Sequence, residues 1–285
     1  MRRTYRVPLP GRGPLELGPR TLVMGILNIT PDSFADGGVH FDFDRAIEAG
    51  LRMVEDGADI IDVGGESTRP GAEPLDEKEE MRRVLPVIEA LAARVGVPIS
   101  IDTYKASVAR EAIGAGATIV NDISGLLYDP PLGRVTAETG AAIVLMHTRG
   151  RSTEMYSLAE YDSVAEEVAR ELGDAIGRAR ASGIADESMI VDPGIGFAKK
   201  AIHSIEVLAH LDTIAQLGRP ILSGPSRKSF LKSALGERTP AQREWGTAAA
   251  VAASVLLGAH IVRVHGVREM KDVVAVADLI RSAQP

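Results

Sequence analysis

Polar and charged residues recur in this chain where short apolar runs end. The run Leu22 to Leu27 passes into Asn28 and breaks at Thr30-Pro31-Asp32, because Pro31 drives Thr30 out of the helical region. Other runs end at Asp62, Asp102, Asn121, His147, Asp192 and Arg263-Val264-His265, and Ser226-Arg227-Lys228-Ser229 follows one more. Carboxylates and an amide gathered with Lys228, Arg263 and His265 would suit a ligand with a cationic or donor-rich part and an anionic part. Ser226 to Ser229 reads as the opening of a helix, whose free N–H groups and dipole favour an anion. Gly64 to Gly71 reads as a loop presenting Arg69. The glycines of Asp192-Pro-Gly-Ile-Gly-Phe197 do not have the spacing or context of a dinucleotide fingerprint. Taken singly, Asp62 capping a loop or His147 satisfied in a core would be structural; the joint pattern is not needed for packing.

The elements that must position these residues alternate. Strands are expected near 22–28, 59–63, 98–102, 118–123, 142–147, 189–192, 220–223 and 260–265. Helices are expected near 43–56, 76–94, 105–114, 132–139, 162–182, 203–216, 242–257 and 267–282. Eight such units predict a single α/β domain over 1–285, a (β/α)8 TIM barrel. Residues 1–20 form an N-terminal extension, with a short hairpin over Thr4 to Leu17 closing the barrel bottom. An internal echo agrees: Gly57, Gly116, Gly140 and Gly258 each precede a small residue and then a strand. Aligned on that glycine, one phase holds Asp62, Asn121, Leu145 and Arg263. Two residues later come Gly64, Ile123, His147 and His265. Since strand side chains alternate faces, the polar ends are expected to point together into the barrel mouth.

With no cysteine among 285 residues, disulfides and thiolate chemistry are excluded. A net charge of −7 with Lys and Arg scattered along the chain argues against a nucleic-acid surface. No run is long and apolar enough to span a bilayer, and the start lacks a signal peptide's apolar core. A cytoplasmic protein without membrane contact is the expectation.

Seven motifs in order carry a resemblance: Gly25-Ile-Leu-Asn-Ile-Thr-Pro-Asp-Ser-Phe34, Asp62-Val-Gly-Gly-Glu-Ser-Thr-Arg-Pro-Gly71, Ile101-Asp-Thr103, Asn121-Asp-Ile-Ser-Gly125, Asp192-Pro-Gly-Ile-Gly-Phe197, Ser226-Arg-Lys-Ser-Phe230 and Arg263-Val-His265. From about Leu22 onward the chain resembles the dihydropteroate synthase family of folate biosynthesis. The resemblance implies condensation of 6-hydroxymethyl-7,8-dihydropterin diphosphate with 4-aminobenzoate, with Mg²⁺ and a homodimer. It would place Asp102, Asn121, Met146, Asp192 and Lys228 on the pterin. Asn28, Thr68, Arg69, Arg263 and His265 would serve the diphosphate, Asn28 also holding the metal. Phe34, Thr68, Pro70, Phe197 and Ser229 would shape the aminobenzoate side. Asp102, Lys228, Arg263 and His265 would be catalytic. The chain departs from the family where Ala198 and Ser204 stand in place of a usual glycine and asparagine, and where Thr148 to Asp162 lacks an expected proline. A pterin-binding methyltransferase domain and a non-catalytic pterin-binding paralogue are the competing readings. The Ala-rich segment Thr247 to Leu257 would allow close helix packing, against a partner or against the barrel.

Overall fold

The computed structural model describes residues 2–29, 39–67 and 71–283. Two antiparallel strands, β1 (Tyr5–Leu9) and β2 (Arg12–Leu17), precede eight parallel ones. These are β3 (Leu22–Asn28), β4 (Ile60–Gly64), β5 (Ile99–Asp102), β6 (Ile119–Asp122), β7 (Ala142–Met146), β8 (Met189–Asp192), β9 (Leu222–Ser223) and β10 (Ile261–Val264). The helices are α1 (Val39–Glu55), α2 (Glu77–Ala92), α3 (Ala106–Gly114), α4 (Pro131–Thr139), α5 (Val164–Ala181), α6 (Ala201–Ala209), α7 (Leu211–Ala215), α8 (Lys232–Leu235), α9 (Glu244–Leu256) and α10 (Val267–Ser282). The sheet runs β8-β7-β6-β5-β4-β3-β10-β9 and closes through one bridge between Val191 and Ile221, next to a proline that has no N–H to offer a ladder. This is the expected barrel.

Its interior is divided by height. Met24, Ile60, Ile119, Val144, Ile190, Leu222 and Ile261 fill the lower part and pack on Val7, Leu9, Leu15 and Leu17 of the hairpin. The hairpin therefore seals the bottom with apolar side chains, as expected. Two residues further up, the same face becomes polar on β4, β6, β8 and β10, with Asp62, Asn121, Asp192 and Arg263. A separate apolar layer, which includes Ile61, Val63, Ile101, Val120, Ile143, Leu145 and Val191, faces the surrounding helices.

Three details differ from the sequence expectation. The segment 203–216 is broken, because His210 leaves helical geometry at φ −115° and ψ 42° and separates α6 from α7. The segment after Ser226 forms only a 3₁₀ turn over Ser229–Leu231 followed by the single turn of α8. It is not the long helix whose dipole would collect an anion. Third, the glycine echo fails at Gly140. In the other three units one residue separates the helix from its glycine, as Ala115 does before Gly116, whereas Gly140 follows α4 directly as a left-handed cap at φ +68°. That removes one residue from the count, so Ala142, not Ile143, pairs with Ile119. Leu145 and His147 consequently face outward, and Val144 and Met146 face in.

Gly116 sets the start of β6 and hence the height of Asn121. Its φ is +116°, and an added Cβ would come within 2.5 Å of the Ala92 Cβ. Gly116→Ala is expected to cost about 2 kcal/mol or more through backbone strain and overpacking, read as a lower urea midpoint at unchanged slope.

Candidate functional site

Parallel pairing aligns Asn28 with Gly64, Gly64 with Asp102 and Asp102 with Asn121, and further round Met146 with Asp192. Five expected site residues thus lie on one rim because the ladder places them there. Arg263 rises from β10 and bonds two acids at once. Its Nε donates to Asp62 Oδ2 at 2.5 Å and its Nη2 to Asp102 Oδ2 at 2.6 Å. Asn121 Nδ2 donates to the same Asp62 oxygen at 3.0 Å. Asp62 is fully buried and its second oxygen has no partner. Burial raises Asp102 above the ordinary carboxylate range; Arg263 opposes the rise and the Asp62 charge adds to it. Arg263 is raised too, its carboxylate partners outweighing desolvation. One guanidinium therefore serves two carboxylates.

Across the mouth, Asp192 is buried and raised by desolvation, with Lys228 opposing. Its Oδ1 accepts from Gly194 N at 2.7 Å. Lys228 donates to the Ile195 carbonyl and lies 4.5 Å from the centre of the Phe197 ring. Burial lowers its ammonium to about 8. His265 is held by Ser226, whose Oγ lies 2.9 Å from Nδ1 and accepts from the His265 backbone N–H at 3.2 Å.

Asn28 and Asp102 flank Gly64, where no side chain stands. A Cβ there would lie 3.7 Å from Asn28 Oδ1 and 3.6 Å from Asp102 Oδ2. These are two hard oxygens, of which Asp102 Oδ2 also accepts from Arg263, and oxygen donors of this kind suit an ion that retains most of its waters. No group of three His, Asp or Glu able to cage a metal exists among the described residues.

Phe34, Thr68, Arg69 and Pro70 lie outside the described residues. Ser229 is exposed at the start of the 3₁₀ turn. Two residues grouped with the mouth in sequence are not part of it. Arg227, at φ +58°, turns away to bond Glu244 at 2.7 Å. His147, sent outward by the Gly140 offset, lies 2.9 Å from Glu171 Oε2 and 2.8 Å from Lys199 Nζ. The rule that polar side chains avoid the helix layer holds only without partners, and His147 has them. Sequence reasoning missed Glu66, which bonds Tyr104 Oη at 2.9 Å, Leu75 N at 3.0 Å and Lys105. It also missed an open pocket beside the mouth, whose lining includes Tyr104, Tyr128, Arg151, Ile123 and Phe197. Four different loops contribute those five side chains, so no local spacing signals them.

A parallel barrel whose mouth sets two acids and an amide against Arg263 and Lys228 defines an enzyme site for a ring rich in hydrogen-bond donors, and residues 24–265 match the family described as pterin binding enzymes. The dihydropteroate synthase of Synechocystis sp. is 47% identical over 274 residues, covering 96% of this chain and 95% of that protein. The solved structure of Xanthomonas albilineans dihydropteroate synthase with 4-aminobenzoic acid superposes with a TM-score of 0.91 at 41% identity, covering 99% of this chain and 100% of that one. That of Yersinia pestis dihydropteroate synthase in complex with a sulfonamide drug gives 0.90 at 42% identity, covering 98% and 100%. The chain belongs to the dihydropteroate synthase family.

The shared guanidinium gives a testable consequence. Asp62→Asn removes a negative charge that raises Asp102 and leaves Arg263 less neutralised, and both effects lower the Asp102 pKa. A carboxyl-carbon NMR titration is expected to show the Asp102 midpoint moving to lower pH; an unchanged midpoint would show that the two acids do not share Arg263 in solution.

Proposed function

We propose that this protein joins 6-hydroxymethyl-7,8-dihydropterin diphosphate to 4-aminobenzoate, giving 7,8-dihydropteroate and diphosphate. The observation that carries the proposal is the mouth itself, with Asp102, Asn121 and Asp192 opposite Lys228 and Arg263 in a member of this family. A pterin's pyrimidinone edge presents N–H donors that match Asp192 and Asn121, and an oxygen that matches the Lys228 ammonium. Met146 lies on the adjoining strand and Phe197 beside Lys228, apolar surfaces for the faces of a ring. A pterin-binding methyltransferase would have no use for the cationic side formed by Lys228, Arg263 and His265.

An aryl amine is an uncharged nucleophile at neutral pH, so its attack needs no strong base. The harder event is cleavage of the bond between the exocyclic methylene carbon and the diphosphate oxygen. Arg263 and His265 would receive the negative charge that gathers on the departing diphosphate. Ionised Asp102 would stabilise the positive charge left on the pterin side. These groups are held in place before reaction, so little reorganisation is required. Mg²⁺, when bound near Asn28, would supply further neutralisation of the diphosphate. Ser229 would donate to the benzoate carboxylate, with Phe197 against its ring.

A homodimer is part of the same proposal. Trp245, Leu257, Val276, Leu279 and Ile280 are exposed on or beside α9 and α10, apolar area that a second copy would cover. Sedimentation of the Trp245→Lys variant as a lighter species than the parent would support it.

The decisive assay is diphosphate release that requires both substrates; pterin binding without turnover would favour a non-catalytic paralogue. Arg263→Ala is expected to weaken diphosphate binding far more than free pterin binding, and equal losses in calorimetry would overturn its assignment. Because burial lowers Lys228 to about 8, its proton is present below that pH and lost above it. Pterin affinity should therefore fall as pH rises through about 8 in the parent, and Lys228→Met should show a weaker affinity without that fall.

A further inference from the structure

The segment between β8 and α6 carries Asp192 at one end and Phe197 near the other, and it is poorly constrained by its own backbone. Gly194 and Gly196 take φ of +67° and +82°, and Ala198, at the position where the family usually has glycine, takes +47°. Such a segment has many conformations to lose and must be pinned from outside. Lys228 holds the Ile195 carbonyl, Tyr161 Oη donates to the Ala198 carbonyl at 2.8 Å, and Gly196 N donates to Ser204 Oγ at 3.2 Å. The remaining pin is Lys199. It is only 2% exposed, and it donates to the Phe197 carbonyl at 3.1 Å.

A buried ammonium is costly unless it is paired, and among the described residues no carboxylate lies within ion-pair distance of Lys199. Its second partner is His147 Nδ1 at 2.8 Å. Burial lowers the Lys199 amine to about 7. The Glu171 carboxylate, 2.9 Å from Nε2, can only accept, so the His147 proton is on Nε2 and Nδ1 accepts from Lys199. Burial keeps that imidazole neutral, with a pKa near 4. His147 follows Met146 in the chain, and its backbone N–H bonds the Asp192 carbonyl at 2.9 Å. The fit is tight: a Cβ on Gly194 would stand 2.0 Å from the His147 carbonyl oxygen and 3.5 Å from Lys199 Nζ. Lys199 thus joins the two strand ends and the loop that flank the pterin position, yet it reaches none of the residues proposed to touch the ring by side chain.

We propose that Lys199 is a positioning residue for the pterin substrate: through the Phe197 carbonyl and His147 it fixes the 193–198 segment so that Asp192 and Phe197 meet the ring in one geometry. This rests on the pterin reading of the mouth given above. A methionine of similar length would fill the space without the desolvation cost, so the ammonium is explained by what it orients and not by packing.

The test uses the full-length protein with Lys199→Met, and Lys199→Gln as a second variant. Steady-state kinetics are expected to show KM for the pterin diphosphate raised about tenfold with kcat changed far less. The thermal midpoint should be equal to or above the parent's, since an unpaired buried charge has gone. The ¹⁵N signals of His147 should move, because Nδ1 has lost its donor. Unchanged KM, or a KM rise that merely tracks a fall in thermal midpoint in both variants, would overturn the proposal. Failure of both variants to fold would do the same by assigning Lys199 to stability. If the parent itself binds no pterin in calorimetry, the reading of the mouth fails and this inference with it; a binding parent beside an unaffected variant refutes the inference alone.

Discussion

One guanidinium facing two carboxylates is the constraint on which the mouth depends. Asp62 and Asp102 stand on adjacent strands and point into a space from which water is largely excluded, so their charges would repel strongly if left alone. Arg263 comes from the far end of the chain and spans the width of β3 to reach both. The same contact stitches β10 to β4 and β5, orients Asn121 through Asp62 and opposes the burial that raises Asp102. Removing Arg263 would therefore take the cation from the anion side directly and reach the pterin side only secondarily, through Asp62 and Asp102.

This polar assembly is possible because of what lies beneath it. The lower barrel is a closed apolar plug, sealed by the hairpin's Val7, Leu9, Leu15 and Leu17. Low polarity below and the packed helix layer outside raise the buried acids and depress Lys228. They also make each hydrogen bond at the mouth stronger than it would be in water. The hairpin contributes nothing to recognition directly, yet it completes the environment that gives the site its chemistry. A second polar system on the outer side, Lys199-His147-Glu171 with Arg149, stiffens the loops above the plug. The outer face of a barrel strand usually carries only packing residues. Here it supports the inner face, because His147 and Met146 are consecutive and a strand ties what it presents on its two sides.

Much of this was determined by the sequence alone. Strand and helix alternation, the apolar runs and the polar residue closing each run established the barrel and placed Asn28, Asp62, Asp102, Asn121, Asp192 and Arg263 at its mouth, since period-two alternation leaves little freedom within a strand. Tertiary structure decided what alternation cannot count. Whether a glycine directly follows its helix or stands one residue later shifts the next strand by one, and a shift of one exchanges the faces; Gly140 did so and carried His147 out of the site. The partners of Lys199, the sharing of Arg263 by two acids and the turning away of Arg227 were likewise absent from any local pattern. Arg227–Glu244, Lys199–His147, Arg263–Asp102 and Arg263–Asp62 join residues 17, 52, 161 and 201 positions apart, and the energy that selects them, the cost of an unpaired charge in a packed interior, exists only once the barrel has closed.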